Sequence, residues 1–415
     1  MHVHTLTHCR ICSGQRRRRF LHLPEMPLTD DFIPRERFGQ EFRHDIDVFI
    51  CEDCLTVQTQ HDVDMGDYYE DYQYAVGASP SASRFMRLLA GHLLSKYLAG
   101  RKGIKVLEVG SGDGGQLLAF KELGCEVLGY EPSTLLTRAA ICKGIPTIQG
   151  LFTAGSINYL PASFKTVDVV MLSYTFDHLP QPREFIAAAQ SILNPDHGLL
   201  VIEVHNLQKI LERQEYCLFE HEHSIYLTTA TALALAARER MTIIDFDLVP
   251  EADRRANSLL FVATPSASRL AGQFPPAKST APPELGNLNF YAGQAELIKG
   301  GIANLDTFVN RITAGGKRIA GYGAGGRGIM TMAAMQAASK LCYVVDKKPK
   351  GVGLVAPKSG VPLVGIPALK ESPVDEILVF SFGYMKEIQS ELASFGYQPR
   401  QFHSLVDVLA GRASQ

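Results

Sequence analysis

Apolar and polar positions along this 415-residue chain change their period several times, and the changes divide it into parts. From residue 84, "RFMRLLAGHLLSKYL" repeats apolar side chains every three or four positions, the spacing of a helix with one buried face. "KVLEVG" is then a short continuous apolar run that predicts a buried strand, "GSGDGG" a glycine turn, "GQLLAFKELG" a helix, and "CEVLGYE" a second strand ending in an acid. "VDVVMLSYTFDHLPQP" and "NPDHGLLVIEVHN" read as the fourth and fifth strands of the same sheet. A Pro/Ala/Ser-rich stretch, "TPSASRLAGQFPPAKSTAPPELG", reads as a linker. Beyond it a helical segment leads into "KRIAGYGAGGRGIMTMAAM", again strand, glycine turn and helix, and then "LCYVVDKKP", a strand ending in Asp346. The pattern predicts two nucleotide-binding βαβ units in one chain.

Length adds that three domains are to be expected, since 415 residues exceed what one hydrophobic core organises. A net charge of −2 gives no reason to expect nucleic acid or an acidic membrane as partner. No run of eighteen apolar residues occurs, and "MHVHTLTHCRICSG" lacks the apolar core of a signal peptide, so the expected location is the cytoplasm. Thiols stay reduced there, which makes paired cysteines metal ligands before disulfides. Cys9 and Cys12 in "CRIC" and Cys51 and Cys54 in "CEDC" form two C-x2-C turns. Together they complete a tetrahedral S4 shell of the structural zinc type, with no position open for chemistry. Cys125, Cys142, Cys217 and Cys342 stand singly among apolar residues and read as core. The basic run Arg16 to Arg19 reads as a solvated hairpin face.

Gly110, Gly112 and Gly115 satisfy G-x-G-x-x-G, a spacing shared by dinucleotide and S-adenosylmethionine sites. Context favours the methyl donor: Glu108 lies in the first strand, Asp113 in the turn, and Ser173 at the end of the fourth strand. Glu131 stands at the tip of the second strand, where a carboxylate can take both ribose hydroxyls. Gly321, Gly323 and Gly326 repeat the spacing with Asp346 about twenty residues on. That turn can bind a nucleotide-linked substrate, NAD, or nothing but its own domain.

With these motifs in order, the chain resembles the three-domain S-adenosylmethionine-dependent sugar C-methyltransferases, which act on nucleotide-linked keto-deoxysugars at C-3. The elements that carry the resemblance are the paired C-x2-C turns, "LPEMPLTDDFI", "YYEDYQYAVGASPS", the first glycine turn, "EHEHSIYL", "GYGAGGRG" and "YVVDKKP". The resemblance implies an α/β fold with an N-terminal zinc-binding lobe (1–75), a central class I methyltransferase Rossmann-like domain (76–265) and a C-terminal second Rossmann-like domain (266–415). It implies S-adenosylmethionine as cofactor, structural zinc, a small-molecule nucleotide-sugar substrate, and a monomer or homodimer with no nucleic acid or membrane partner.

The chemistry such an enzyme needs is a base and a donor, because a carbon accepts a sulfonium methyl only after deprotonation to an enolate whose oxygen is stabilised. Imidazole, with an ordinary pKa near 6.5, is deprotonated often enough to be that base. By resemblance His223 is the base and Glu222 its partner or a ligand of sugar hydroxyls, with His178 as second candidate. Glu220 stands where the family has a tyrosine, so Tyr72, Tyr74 or Tyr226 takes the place of the phenolic donor. Arg327 stands where the family's turn runs on to a lysine, and "VFSFGYMKEI" lacks the family's Trp-Asn in a chain with no tryptophan. Glu220, His221, Gly323, Arg327 and Asp346 are the substrate-binding candidates. Rival readings are a catalytic metal on His221 and His223, a surface loop, an O- or N-methyltransferase for another small molecule, and a non-catalytic nucleotide- or NAD-binding protein.

Overall fold

The computed structural model describes residues 1–29, 31–70, 80–254, 257–349 and 351–412. Its centre is a seven-stranded sheet of β1 (Lys105–Val109), β2 (Glu126–Glu131), β3 (Thr147–Gln149), β4 (Val169–Ser173), β5 (Leu199–His205), β6 (Met241–Phe246) and β7 (Ser258–Pro265). The strand order is β3-β2-β1-β4-β5-β7-β6, with β7 antiparallel to both neighbours and the other pairings parallel. Successive residues of one strand face opposite ways. Leu107, Val170, Leu172, Leu200 and Ile202 therefore enter one core, while Val106, Val169, Met171, Leu199 and Val201 enter the other. Helices cover both faces, which is why these strands read as continuous apolar runs. The order reverses between β1 and β4, the position at which open α/β sheets bind their ligands.

The C-terminal part repeats the plan with five parallel strands in the order Leu363–Gly365, Val344–Asp346, Ile319–Tyr322, Glu376–Val379 and Phe402–Ser404. A helix of 27 residues, Leu288–Ala314, precedes it. The segment read as a linker is laid against the central domain: after a short helix, Arg269–Gln273, the amide of Ala277 donates to the Ile243 carbonyl at 2.8 Å.

The N-terminal lobe is an antiparallel sheet in which Arg17–Pro27, Arg43–Cys51 and Val57–Thr59 pair in turn. Its fourth strand comes from the central domain: Ile225–Tyr226 pairs with Val57–Thr59, setting Ile225 opposite Gln58 and Tyr226 opposite Val57. A third tie joins Leu354–Val355 of the C-terminal part to Ile33–Pro34 of the lobe. Arg16, Arg18 and Arg19 form ion pairs with Asp53, Glu52 and Asp47 on the lobe's outer face. No helix among the described residues is long and apolar enough to cross a membrane.

One apolar cluster joins the three parts, running from Phe20, Ile46 and Val48 of the lobe through Tyr216 to Phe219 into Phe308, Met330 and Leu378. Phe219, fully buried, meets Phe20 edge to face at 5.7 Å and Tyr226 at 4.7 Å. Phe219→Ala should therefore cost about 3–5 kcal/mol in chemical denaturation, the range for emptying a buried aromatic site. It should also loosen the segment that follows, measured as faster amide exchange at residues 220–226.

Candidate active site

The four paired cysteines meet at one edge of the lobe. Cys9 Sγ lies 3.6 Å from Cys54 Sγ and Cys12 Sγ lies 3.4 Å from Cys51 Sγ, and all four sulfurs are within 4.8 Å of one another. A tetrahedral zinc with Zn–S near 2.3 Å needs sulfurs about 3.8 Å apart, so the shell fits. Backbone amides of Ile11 and Gly14 point at Cys9 and Cys12 sulfurs at 3.4 Å each, the kind of support thiolate ligands receive. The Cys54 hydrogen bond lowers the Cys9 thiol to about 4, whereas burial pushes Cys51 up to about 11. Sulfurs this crowded cannot all ionise on their own, and a divalent cation removes the conflict. The four cysteines form a cluster whose chemistry and spacing fit a structural zinc.

The candidate methyl-donor residues gather at the C-terminal ends of β1, β2 and β4. Gly110 has φ +70°, and a Cβ there would stand 2.2 Å from Thr175 Oγ1, so both conformation and space demand glycine. Glu131 is buried and accepts the Gly112 amide on Oε2 and the Ser133 amide on Oε1, each at 2.8 Å. Burial raises its carboxyl against the pull of those two amides. Each oxygen retains a lone pair for a ribose hydroxyl. Ser111 Oγ and Ser173 Oγ are buried without a hydrogen-bond partner among the described residues, polar atoms that a bound cofactor would satisfy. Glu108 is buried in β1. Asp113 instead pairs with Lys143 at 2.5 Å and caps the Gly115 amide at 3.2 Å.

Beside this pocket three histidines cluster. His178 follows β4, His205 ends β5, and His223 lies in the segment leading to Ile225–Tyr226. The His223 ring is 4.9 Å from that of His178, 4.8 Å from that of His205 and 6.1 Å from that of Tyr226. His223 Nδ1 is 2.8 Å from the Leu218 carbonyl, which can only accept, so Nδ1 carries the proton and Nε2 the lone pair. Burial works against charge on His223, yet Glu220 and then Asp177 outweigh it and raise its pKa above the ordinary 6.5. Glu220 Oε2 is 3.7 Å from His223 Nε2. Burial lowers His178 to about 3 and His205 to about 4, leaving both neutral. His178 Nδ1 meets the Tyr69 hydroxyl at 3.1 Å.

The EHEH segment divides by direction. His221 faces the zinc lobe: its Nδ1 is 2.8 Å from His61 Nε2 and its Nε2 2.9 Å from the Met26 carbonyl, so both ring nitrogens are engaged away from His223. Glu222 takes a hydrogen bond from Thr29 Oγ1, whose backbone carbonyl accepts from Tyr68. The Glu220 amide donates to the Tyr226 hydroxyl at 3.3 Å. Tyr72 and Tyr74 lie outside the described residues. From the C-terminal part, Gly326 approaches so closely that a Cβ would stand 3.3 Å from both Glu220 Oε1 and Thr29 Cβ. Arg327 pairs with buried Glu215 at 3.0 Å, its guanidinium 5.2 Å over the Phe382 ring. Gly323, at φ +96°, faces Ser381, and Asp346 accepts amides of Ala324 at 3.3 Å and Lys348 at 2.8 Å, securing its own turn.

The structure thus brings together His178, His223, Tyr226 and Glu220, and turns His221 and Glu222 toward the lobe. It adds Asp177, His205, Tyr69 and Thr29, which the sequence reading passed over. His205 had a signal, since it ends a strand at the edge where such sheets bind ligands. Thr29 and Tyr69 lie in two stretches that carry the resemblance, "LPEMPLTDDFI" and "YYEDYQYAVGASPS", but only the fold shows that they meet Glu222 and His178, more than a hundred positions away.

Three family models match consecutive parts of the chain: "Putative zinc binding domain" at residues 9–69, "Methyltransferase domain" at 82–240 and "C-methyltransferase C-terminal domain" at 280–405. The C-methyltransferase NovU of Streptomyces niveus is 25% identical over 394 residues, 93% of this chain and 92% of its own. An uncharacterized methyltransferase of Bacillus pumilus is 34% identical over 106 residues, 25% of this chain and 48% of its own. The solved plantazolicin methyltransferase BpumL in complex with SAH is 14% identical, spans 44% of this chain and 82% of its own, with a TM-score of 0.34. The chain has the three-part arrangement of zinc-binding, methyltransferase and C-methyltransferase C-terminal domains and is an S-adenosylmethionine-dependent methyltransferase.

Protein purified without added metal should contain about one equivalent of zinc per chain, and Cys51→Ser should lose metal and solubility together; a zinc-free protein with native circular dichroism and melting temperature would contradict this. Glu131→Ala should weaken S-adenosylhomocysteine binding by on the order of 1.5–3 kcal/mol in calorimetry, as a charged acceptor is withdrawn from two hydroxyls and two amides. Unchanged affinity would put the donor elsewhere.

Proposed function

We propose that this enzyme methylates a carbon beside the ketone of a nucleotide-linked deoxysugar, through an enolate formed by His223. When bound, S-adenosylmethionine supplies an electrophilic methyl on a sulfonium. The observation that carries the reading is the tautomer of His223: with Nδ1–H given to the Leu218 carbonyl, a buried Nε2 lone pair is left to accept a carbon-bound proton. The C-methyltransferase C-terminal match at residues 280–405 and the name of the NovU relative support carbon as the acceptor.

The enolate oxygen needs donors that are not themselves lost as acids. His178 is neutral, and if Tyr69 donates to its Nδ1, its Nε2–H is free to point at the oxyanion. Burial and then the charges of Glu222 and Asp177 hold the Tyr69 phenol well above its ordinary range, so it remains a donor. Glu220 stands in for the family's tyrosine by its charge rather than its proton, raising the basicity of His223. Arg327, on the face of Phe382 and partly exposed, with Gly323 and the first turn of helix Gly326–Ala334, is assigned the diphosphate of the substrate. The reading places the protein in the cytoplasm, where reduced cysteines keep the zinc.

His223→Gln keeps size and hydrogen bonding but not basicity. It should lose turnover, and exchange of the α-proton in deuterated buffer with S-adenosylhomocysteine bound, by roughly 10²–10⁴, with donor binding intact. Full activity in this variant and loss in His178→Gln would move the base to His178, and no effect in either would point to an oxygen or nitrogen acceptor. The base acts unprotonated, so kcat/KM should rise with pH through a break above the ordinary imidazole value of 6.5. Glu220→Gln removes the charge that raises it and should move that break to lower pH.

A further inference from the structure

The cluster holds one proton acceptor more than deprotonation requires. His205 Nδ1 is 2.8 Å from Asp177 Oδ2, and the His205 backbone amide reaches the same oxygen at 3.4 Å. An ionised carboxylate only accepts, and the neighbouring imidazoles hold Asp177 well below the usual carboxyl range although burial opposes its charge. His205 thus carries its proton on Nδ1 and a lone pair on Nε2, the same tautomer as His223. The two rings are 4.8 Å apart, and one donor atom from each of Asp177, His205 and His223 falls within a 4.8 Å span. Tyr174 packs edge to face on His205 at 4.7 Å and keeps φ +52°, a costly value for a bulky residue, to do so. Asp177, His223, Arg327 and His178 bear electrostatically on His205, and the Tyr174 phenol ring packs against it.

Carbon methylation leaves a proton behind in every cycle. The C–H bond breaks and its proton goes to His223 Nε2; the C–C bond forms as the S–CH3 bond breaks, and S-adenosylhomocysteine departs uncharged. His223 must then discharge, but its side chain is 4% exposed, against 14% for His205. We propose that the Asp177–His205 pair takes this proton from His223 and passes it to solvent, with His205 Nε2 as acceptor and Asp177 as the positioning residue that stabilises the resulting imidazolium. Asp177 Oδ1, buried without a hydrogen-bond partner among the described residues, adds its charge to that ion. Burial keeps His205 the weaker base of the two rings, so the transfer is uphill and is drawn forward by release of the proton to solvent. The proposal rests on the reading of His223 as the base.

The test uses full-length His205→Gln and Asp177→Asn with S-adenosylmethionine and a nucleotide-linked 4-keto-6-deoxysugar in rapid-quench experiments. In His205→Gln the first turnover should stay within about twofold of the unmodified enzyme, while later turnovers slow by on the order of 10–100-fold with KM unchanged; Asp177→Asn also withdraws a charge that raises His223, so its first turnover slows and its later turnovers slow further. Added imidazole should restore part of the loss in His205→Gln. First and later turnovers slowed equally, or neither slowed, overturns the relay. A second measurement needs no substrate: nitrogen NMR of histidine-labelled enzyme should find His205 as the Nδ1–H tautomer and lose that state in Asp177→Asn. An Nε2–H tautomer at His205 overturns the relay whatever the substrate. If the unmodified enzyme leaves the keto sugar untouched while His205 shows the Nδ1–H tautomer, the reading of the reaction fails and the pair stands as a proton acceptor.

Discussion

The antiparallel pairing of Ile225–Tyr226 with Val57–Thr59 is the constraint on which the rest of the site depends. A two-residue strand has little stability of its own, so the segment that carries His223 takes its conformation from the lobe it completes. Thr59 reinforces the join, its amide donating to the Ser224 carbonyl at 3.2 Å and its hydroxyl to the His223 carbonyl at 3.1 Å. On the other side Ser224 is tied to the turn after β4 through the carbonyls of Asp177 and Leu179. His223 is thus held between two domains. A zinc on the four cysteines would act at a distance: Cys51 ends the strand next to Val57–Thr59, so closing the metal shell would fix the edge onto which the segment carrying His223 adds.

With that backbone fixed, electrostatics differentiate side chains of the same type. Three imidazoles and several carboxylates share a space from which water is largely excluded, where charges act more strongly than in solution. His223 faces Glu220 and Asp177 and is raised; His178 and His205 bear the cost of burial with less compensation and stay neutral. Environments that separate the pKa values of like groups assign acid, base and donor without a change of residue type. His221 shows the contrast within one tetrapeptide. Engaged on both nitrogens and lowered to about 3, it supports the turn that presents His223.

Much of this was legible in the chain. Most strands of the central sheet lie where the chain carries continuous apolar runs, since parallel strands covered on both faces must be apolar, and one strand of each sheet, Lys105–Val109 and Ile319–Tyr322, runs into a glycine turn. The zinc shell was legible because two thiolates two residues apart can reach one ion without help from the fold. The cofactor turn was legible for the same local reason. The histidine cluster was legible only in part. His178 and His223 belong to recognisable stretches, but the contact of His178 with Tyr69 is set by how the lobe meets the central domain, and that of His223 with His205 by how strands of the central sheet lie together, and no spacing in the sequence encodes either. The roles within "EHEH" were hidden too, because the tetrapeptide is a turn, closed by the His223 amide on the Glu220 carbonyl at 3.3 Å, and only its packing decides that His221 and Glu222 face the lobe while Glu220 stays beside His223.

Gly326 shows how far the two glycine turns differ despite one spacing. The first turn stays open: Gly112 gives its amide to Glu131 and a Cβ there would meet nothing within 4 Å, so room is kept for a ligand. The second turn closes on protein. At Gly326 a side chain would meet Glu220 of the central domain and Thr29 of the lobe, and Arg327 beside it is matched by Glu215. A side chain there would crowd both neighbours by a few tenths of an ångström, so glycine suits the close approach of the domains, whatever the turn also binds. The replacement of the family's tyrosine by Glu220 belongs to the same contact, for a carboxylate is short enough to fit under Gly326 and still reach toward His223. The C-terminal domain thereby packs against the carboxylate that lies 3.7 Å from His223 Nε2 and raises its basicity.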